Sequence, residues 1–232
     1  HSLMVGDRPS DVQFAENLGV RGFLLPETSW AEIARSVLDK PRSAEIKRTT
    51  KETDISVRLD LDGSGQYKIA TGLKFFDHML EQLSKHSDFD LELSCRGDLE
   101  IDEHHTIEDV GIALGECLRE ALGDKRGIAR YASERIIPMD EAKAEVAIDL
   151  SGRPYLRFEA AFSREYVGDF PTEMLGHFLR SFCEAAKLNL HITLSGENTH
   201  HLVEVCFKGL ARCLKDAVRR EGDALPSTKG IL

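Results

Sequence analysis

The feature that most constrains how this chain can fold is an internal repeat. The pattern H-H-x-x-E occurs twice, at residues 104–108 and 200–204, which are 96 positions apart. An earlier histidine, His78, matches His177 at an offset of 99. Four further pairs match at the offset of 96, namely Leu114 with Leu210, Cys117 with Cys213, Leu118 with Leu214 and Ala121 with Ala217. Such self-similarity predicts two copies of one structural unit.

The hydropathy pattern has the same order in both copies. Alternating segments at 54–61, 67–69 and 89–95 predict strands, and the spacing of apolar residues at 75–85 and 104–122 predicts helices. The second copy has strands at 144–150, 155–162 and 190–194, and helices at 173–187 and 200–220. We therefore expect an α+β fold made of two half-domains, about 44–137 and 138–232. Each has the order strand-strand-helix-strand-helix, and the two pack through their helices.

Composition excludes several classes of protein. The 232 residues carry 40 acidic and 30 basic side chains, so the net charge of −10 disfavours nucleic acid as a partner. No apolar run is long enough for a membrane span, and the first residues lack the order of a secretory signal. The five cysteines form no C-x-x-C pair, which favours reduced thiols and a cytoplasmic location.

The repeated histidines indicate a metal site. Residues three and four apart lie on one helix face, while adjacent residues diverge by about 100°, so each motif can present ligands in two directions. Imidazole with carboxylate suits manganese, iron or zinc. A single copy would be read as solvated histidines at a helix start, but two copies at matching places favour metal binding. The spacing differs from the H-E-x-x-H motif of zinc proteases, so that class is excluded. The spacing also leaves open which histidine shares an ion with which glutamate.

Many segments in a fixed order make the chain from about Ala44 to Leu232 resemble imidazoleglycerol-phosphate dehydratase. These segments are R-T-T-K-E-T at 48–53, F-D-H-M-L-E at 76–81, H-H-T-I-E-D at 104–109, P-M-D-E at 138–141, D-L-S-G-R-P at 149–154, H-H-L-V-E at 200–204 and P-S-T-K-G at 226–230. The resemblance implies a lyase of histidine biosynthesis that dehydrates imidazole-glycerol phosphate to imidazole-acetol phosphate through a metal-bound imidazolate. It also implies helices between two sheets, two Mn²⁺ ions per active site, and a 24-subunit shell with the metals at subunit boundaries.

The family's site residues carry over position by position. The resemblance implies that one ion takes His78, His104, His200 and Glu204, and the other His105, Glu108, His177 and His201. It assigns proton abstraction to Glu52, and it counts the metal-binding Glu108 and Glu204 with it as catalytic. Glu52 is also expected to contact the substrate. Binding of the substrate's phosphate is expected from Arg130, Arg153, Lys208, Ser227 and Lys229, because arginine and lysine recognise phosphate well.

Residues 1–43 follow a different pattern. A strand ends near Asp7, a helix starts at Ser10 or Asp11, and residues 41–43 resemble a linker. The segment G-D-R-P-S-D at 6–11 resembles the last acidic motif of haloacid-dehalogenase-type phosphatases, so we expect the C-terminal remnant of such a domain, without phosphatase activity.

Two rival functions are a metalloprotein whose ions only hold an oligomer together, and a phosphatase built on Asp7 and Asp11. The first leaves Glu52 and the basic residues without a role.

Overall fold

A computed structural model describes residues 2–30, 32–34 and 41–232, with the backbone alone at positions 134 and 135. The chain divides into two compact units, His1–Pro41 and Arg42–Leu232.

The first unit contains a β-α-β arrangement. Strand β1 (Leu3–Gly6) pairs in parallel with β2 (Arg21–Leu24), and helix α1 (Pro9–Asn17) connects them. The helix begins at Pro9, earlier than predicted, because proline is well suited to the first helical position. The carboxylate of Asp11 accepts the backbone N–H of Arg8 at 3.2 Å from within the first turn.

The second unit begins with a four-stranded sheet and two helices. The strands are β3 (Ser43–Thr49), β4 (Thr53–Asp60), β5 (Tyr67–Ala70) and β6 (Asp90–Gly97), and the helices are α2 (Lys74–Ser87) and α3 (His104–Leu122). The strand order in the sheet is β3-β4-β6-β5. Every second residue of β4 and β6 is buried, as their alternating sequences predict.

The same arrangement follows a second time. The strands are β7 (Tyr131–Met139), β8 (Ala142–Asp149), β9 (Tyr155–Glu159) and β12 (Asn189–Ser195), the helices are α4 (Glu173–Ala186) and α5 (Thr199–Ala217), and a small hairpin joins β10 (Tyr166–Val167) to β11 (Phe170–Pro171). The sheet order β7-β8-β12-β9 reproduces that of the first half. The predicted α+β class and its duplication are therefore confirmed.

Three details differ from the sequence prediction. Each half has one more strand at its start, β3 or β7, and the boundary expected near 137 falls inside β7. The sequence G-S-G at 63–65 is typical of a hairpin turn, but β5 does not pair with β4 and is instead parallel to β6. A parallel strand needs a crossover connection, which α2 provides, and alternation of residues cannot report that order.

The helices form a layer that joins the two halves. α2 packs against α5, and α3 packs against α4, so each contact pairs a helix of one half with a helix of the other. The α3–α4 contact is close because Gly111 and Gly115 face α4. A Cβ at Gly115 would lie 2.6 Å from the backbone oxygen of Phe182. The apolar faces of both sheets and all four helices form one core.

All five cysteines are buried thiols that take part in no disulfide. Burial raises the pKa of the Cys183 thiol to about 12, so this group stays protonated at neutral pH. None of the helices described here is both long and apolar enough to cross a membrane.

Candidate active site

Two groups of possible metal ligands lie at the contacts between helices. The first consists of His78, His200 and Glu204, and the second of His104, Glu108 and His177. In each group the ligand atoms lie within 4.8 Å of one another. The groups correspond to each other through the repeat, residue by residue.

Helix pairing across the halves explains this composition. α5 supplies His200 and Glu204 from one face, with His200 Nε2 3.1 Å from Glu204 Oε2, and the facing α2 adds His78. α3 supplies His104 and Glu108 in the same way at 3.0 Å, and the facing α4 adds His177. Two imidazole nitrogens and one carboxylate oxygen are a suitable donor set for a divalent transition metal.

The two glutamates have different surroundings. The Glu204 side chain is 9% exposed and accepts the ammonium of Lys208 at 2.7 Å. Burial raises the pKa of Glu204, but the hydrogen bond and charge of Lys208 outweigh it and hold the pKa below its usual value. The Glu108 side chain is 41% exposed and has Ile112, not a lysine, one turn later. Glu204 is therefore fixed as a carboxylate before any ion binds.

The second histidine of each motif has a different partner. His105 Nδ1 lies 3.0 Å from Asp98 Oδ2, and His201 Nδ1 lies 2.9 Å from Glu141 Oε2. The hydrogen bond that His105 makes to the Asp98 carboxylate raises the pKa of His105, with further contributions from the charges of Asp98 and Glu52. The bond to His201 lowers the pKa of Glu141 to about 2.

The grouping within one chain differs from the sets that the family resemblance implies. His104 lies with Glu108 and His177, because an i, i+4 spacing on one helix brings it to Glu108. The expected set placed it with His78, His200 and Glu204. His105 and His201 belong to neither group, because adjacent residues on a helix diverge by about 100° around its axis.

Glu52 lies at the turn between β3 and β4, close to the second histidine of the first half. Its backbone oxygen accepts the N–H of Asp98 at 3.0 Å, and Asp98 holds His105. Among the described residues, no hydrogen bond or ion pair engages the exposed Glu52 carboxylate. An exposed carboxylate without such a bond, close to a histidine that is expected to bind metal, can accept a proton from a bound molecule.

Four of the five expected phosphate-binding residues belong to one end of the second unit. The guanidinium of Arg130 bonds Asp149 at 2.7 Å and the carbonyl of Pro226 at 2.7 Å, next to Ser227. The C-terminal Leu232 approaches Gly152, the neighbour of Arg153, so closely that a Cβ at Gly152 would lie 2.5 Å from it. Ser227 Oγ accepts the N–H of Lys229 at 3.2 Å. The fifth, Lys208, pairs with Glu204.

Four polar residues around the histidines were not identified from the sequence. Asp98 and Glu141 bond His105 and His201, while Asp102 and Asn198 accept the backbone N–H of His104 and His200 at 2.8 and 2.9 Å. Asp102 and Asn198 could have been found, because they are 96 positions apart and each precedes its H-H pair by two residues.

The fold and these side chains define a duplicated α+β protein with two repeat-related groups suited to metal binding. Residues 71–214 match the family model of imidazoleglycerol-phosphate dehydratase. The histidine biosynthesis bifunctional protein HisB of Xanthomonas axonopodis pv. citri is 56% identical over 253 aligned positions, which cover all of this chain and 68% of that protein. HisB of Stenotrophomonas maltophilia is 58% identical, and this chain covers 66% of it.

Solved structures agree with the family match. Imidazoleglycerol-phosphate dehydratase from Staphylococcus aureus superposes with a TM-score of 0.70 and 38% identity, covering 77% of this chain and 99% of that one. The enzyme from Pyrococcus furiosus gives a TM-score of 0.71 and 36% identity, covering 81% and 100%. The chain belongs to the imidazoleglycerol-phosphate dehydratase family, and it is a dehydratase of histidine biosynthesis.

Proposed function

We propose that this chain converts imidazole-glycerol phosphate to imidazole-acetol phosphate with two divalent ions, Mn²⁺ by family resemblance, held by eight side chains. These are His78, His104, His105, Glu108, His177, His200, His201 and Glu204. The observation that carries the proposal is the pair of repeat-related groups, each with two imidazoles and one carboxylate within 4.8 Å. The ions would act as Lewis acids that let the substrate's imidazole become an imidazolate and so serve as an electron sink.

The chain's own groups supply the remaining steps. The Glu52 carboxylate takes the proton from the middle carbon of the glycerol chain, and the electrons of that C–H bond form a C=C bond to the carbon next to the imidazole. The hydroxyl of that second carbon leaves, so that one H⁺ and one OH⁻ are lost together as one water. The resulting enol tautomerises to the ketone. Arg130, Arg153, Lys208, Ser227 and Lys229 would orient the substrate through its phosphate, so that its reacting carbon faces Glu52.

A second copy of the chain is needed to complete each ion's ligands. One chain brings three ligand atoms together per group, while His105 and His201 lie outside both groups. Supplying the fourth ligand from a neighbouring chain is consistent with the 24-subunit shell of the family. Assembly and metal binding would then stabilise each other.

The substitution Glu52→Gln tests the assignment of the base. It keeps the size of the side chain but removes its ability to accept a proton, so we expect Mn²⁺ binding and substrate binding to remain. Turnover of imidazole-glycerol phosphate should fall about 100-fold or more, the usual contribution of a general base. The matched control is Glu45→Gln, an exposed glutamate on the neighbouring β3. Turnover of Glu52→Gln within a few-fold of the control would contradict the assignment.

A further inference from the structure

The strand registers reveal a residue that corresponds to Glu52 in the second half. In the first sheet Ile55 of β4 pairs with Cys95 of β6, and in the second sheet Ala144 of β8 pairs with Leu194 of β12. β6 and β12 match at the offset of 99 that also relates His78 to His177. Three positions before Ile55 stands Glu52, and three positions before Ala144 stands Glu141. Both glutamates lie in the turn that precedes the strand, β4 or β8.

The same correspondence identifies a second pair of acidic residues. Gly97 ends β6 and Gly196 follows β12, and the next residues are Asp98 and Glu197. Each half therefore has two acidic side chains at equivalent places near its H-H-x-x-E motif. The first place is the turn before β4 or β8, which contains Glu52 or Glu141. The second is the loop that follows β6 or β12, which contains Asp98 or Glu197.

The two halves use opposite members of these pairs. In the first half Asp98 binds His105 Nδ1, and the carboxylate of the turn glutamate, Glu52, bonds no side chain that the structure describes. In the second half the turn glutamate, Glu141, binds His201 Nδ1, and Glu197 is exposed. Because a different acidic residue bonds the histidine in each half, both His105 and His201 have an acidic partner, and the carboxylate of Glu52 remains available to accept a proton.

Glu141 is also fixed by a second bond. Its other oxygen accepts the backbone N–H of Asn198 at 2.8 Å, and the Asn198 side chain accepts the N–H of His200. Asp140 Oδ2 lies 3.8 Å from His201 Nε2, too far for a hydrogen bond. One carboxylate thus holds the start of α5 and the ring of His201 together.

We propose that Glu141 and Asp98 are positioning residues of the metal site. Each accepts the Nδ1–H of its histidine, which fixes the ring and leaves Nε2 as the nitrogen that binds the ion. This inference rests on the proposed function, because it takes His105 and His201 as metal ligands. Carboxylates that orient ligating histidines in this way commonly contribute 10- to 100-fold to metal affinity.

The hydrogen bond itself can be tested without metal. Magic-angle-spinning NMR of the EDTA-treated full chain, labelled with ¹³C and ¹⁵N in histidine, reports which ring nitrogen carries the proton. The His201 signals are identified by their loss in His201→Gln. We expect a protonated Nδ1 in the unsubstituted chain and a mixture of tautomers in Glu141→Ala. An Nδ1 that carries no proton, or unchanged signals in Glu141→Ala, would overturn the proposal.

A Mn²⁺ titration then tests the consequence. The probe is Mn²⁺ alone, and electron paramagnetic resonance measures the free ion in each mixture. We expect Glu141→Ala and Asp98→Ala each to bind Mn²⁺ about 10- to 100-fold more weakly at one of the two kinds of site. The controls are Glu197→Ala, in the loop that precedes α5, and Glu100→Ala, in the loop that contains Asp98; both glutamates are exposed, and both variants should bind as the unsubstituted chain does.

The outcomes separate this inference from the proposed function. If the unsubstituted chain binds Mn²⁺ and the alanine variants match their controls, the positioning role is wrong while the proposed function stands. If the unsubstituted chain binds no Mn²⁺, the proposed function fails, and the positioning role fails with it. Weaker binding with unchanged thermal unfolding of the metal-free variants supports a role in orientation over a general structural one.

Discussion

At the scale of single residues, the two copies of the motif have unequal surroundings. Lys208 neutralises Glu204 in one copy, whereas Ile112 stands at the equivalent place beside Glu108. An ion in the second group would therefore meet a carboxylate that pairs with no lysine or arginine among the described side chains. An ion in the first group would have to displace or share the contact that Lys208 makes. The two ions are thus expected to differ in affinity even though their ligand types are the same.

Another carboxylate makes stability depend on pH. Asp90 Oδ1 accepts the backbone N–H groups of Ser64 and Gln66, both at 2.8 Å, at the turn that follows β4. These bonds lower the pKa of Asp90 from its usual value near 3.8. A group with a depressed pKa stabilises the folded state above its unfolded pKa, and this contribution is lost as the pH falls through the folded value.

The substitution Asp90→Asn should therefore lower the melting temperature most at neutral pH. The difference from the unsubstituted chain should shrink as the pH falls below about 4, the pKa of an unfolded aspartate, and should vanish once the pH passes the lower pKa of folded Asp90. Thermal unfolding followed by circular dichroism at several pH values measures the difference. A gap that is the same at pH 7 and pH 3 would show that the charge of Asp90 contributes nothing.

Sequence reasoning at this scale succeeded where partners are close in the chain. The spacing of His104 from Glu108, and of His200 from Glu204, predicted contacts that the structure contains. The partners of the other two histidines were missed for two reasons: Glu141 is 60 positions from His201, and Asp98, only seven positions from His105, lies in a loop that helical spacing does not describe. The grouping of His104 with His177 also depends on helix packing, which spacing does not report.

At the scale of secondary-structure elements, the contact between α3 and α4 determines the geometry of the second group. α3 carries His104 and Glu108, and α4 carries His177. Gly111 and Gly115 allow the two backbones to approach closely, with Phe182 and Ala185 on the facing surface. The position of one ligand relative to the other two therefore depends on residues that bind no metal.

The substitution Gly115→Ala should separate these helices. Its Cβ would lie 2.6 Å from the Phe182 backbone oxygen, which cannot move away independently, so overpacking should cost about 1–3 kcal/mol of stability. We also expect weaker Mn²⁺ binding at the group that contains His177. Chemical unfolding and a Mn²⁺ titration measure the two effects.

The control for this experiment is Gly176→Ala on α4. A Cβ there would meet the Phe158 ring at 3.5 Å, an ordinary contact, and alanine is the better helix former. Stability should be unchanged or higher. If Gly115→Ala is as stable as this control and binds both ions equally well, the close approach is not what sets the site.

Element prediction from the sequence was most accurate for the helices and the central strands. The edge strands β3 and β7 were missed: the first has few apolar residues, and the second contains an irregularity between Glu134 and Ile137. Their positions became clear only from pairing with β4 and β8. Strand order was also beyond the sequence, since alternation reports which face is buried but not which neighbour is bonded.

At the scale of the whole molecule, the repeat itself was the strongest signal. Two copies of one unit at matching offsets predicted the two sheets, the paired helices and two equivalent sets of ligands. The first unit, with β1, α1 and β2, has no counterpart in that repeat, and its relation to phosphatases stays a prediction. This chain spans about two thirds of the length of the bifunctional relatives it matches.

The measurement that tests the central claim most directly is dehydration of imidazole-glycerol phosphate by EDTA-treated protein, before and after addition of Mn²⁺. Sedimentation of the same samples reports the state of assembly. We predict that the ketone product forms only when Mn²⁺ is present, and that Mn²⁺ also increases the assembled fraction. If Mn²⁺ binds and assembles the protein but no product forms, the ions hold the oligomer together and the proposed catalysis is contradicted.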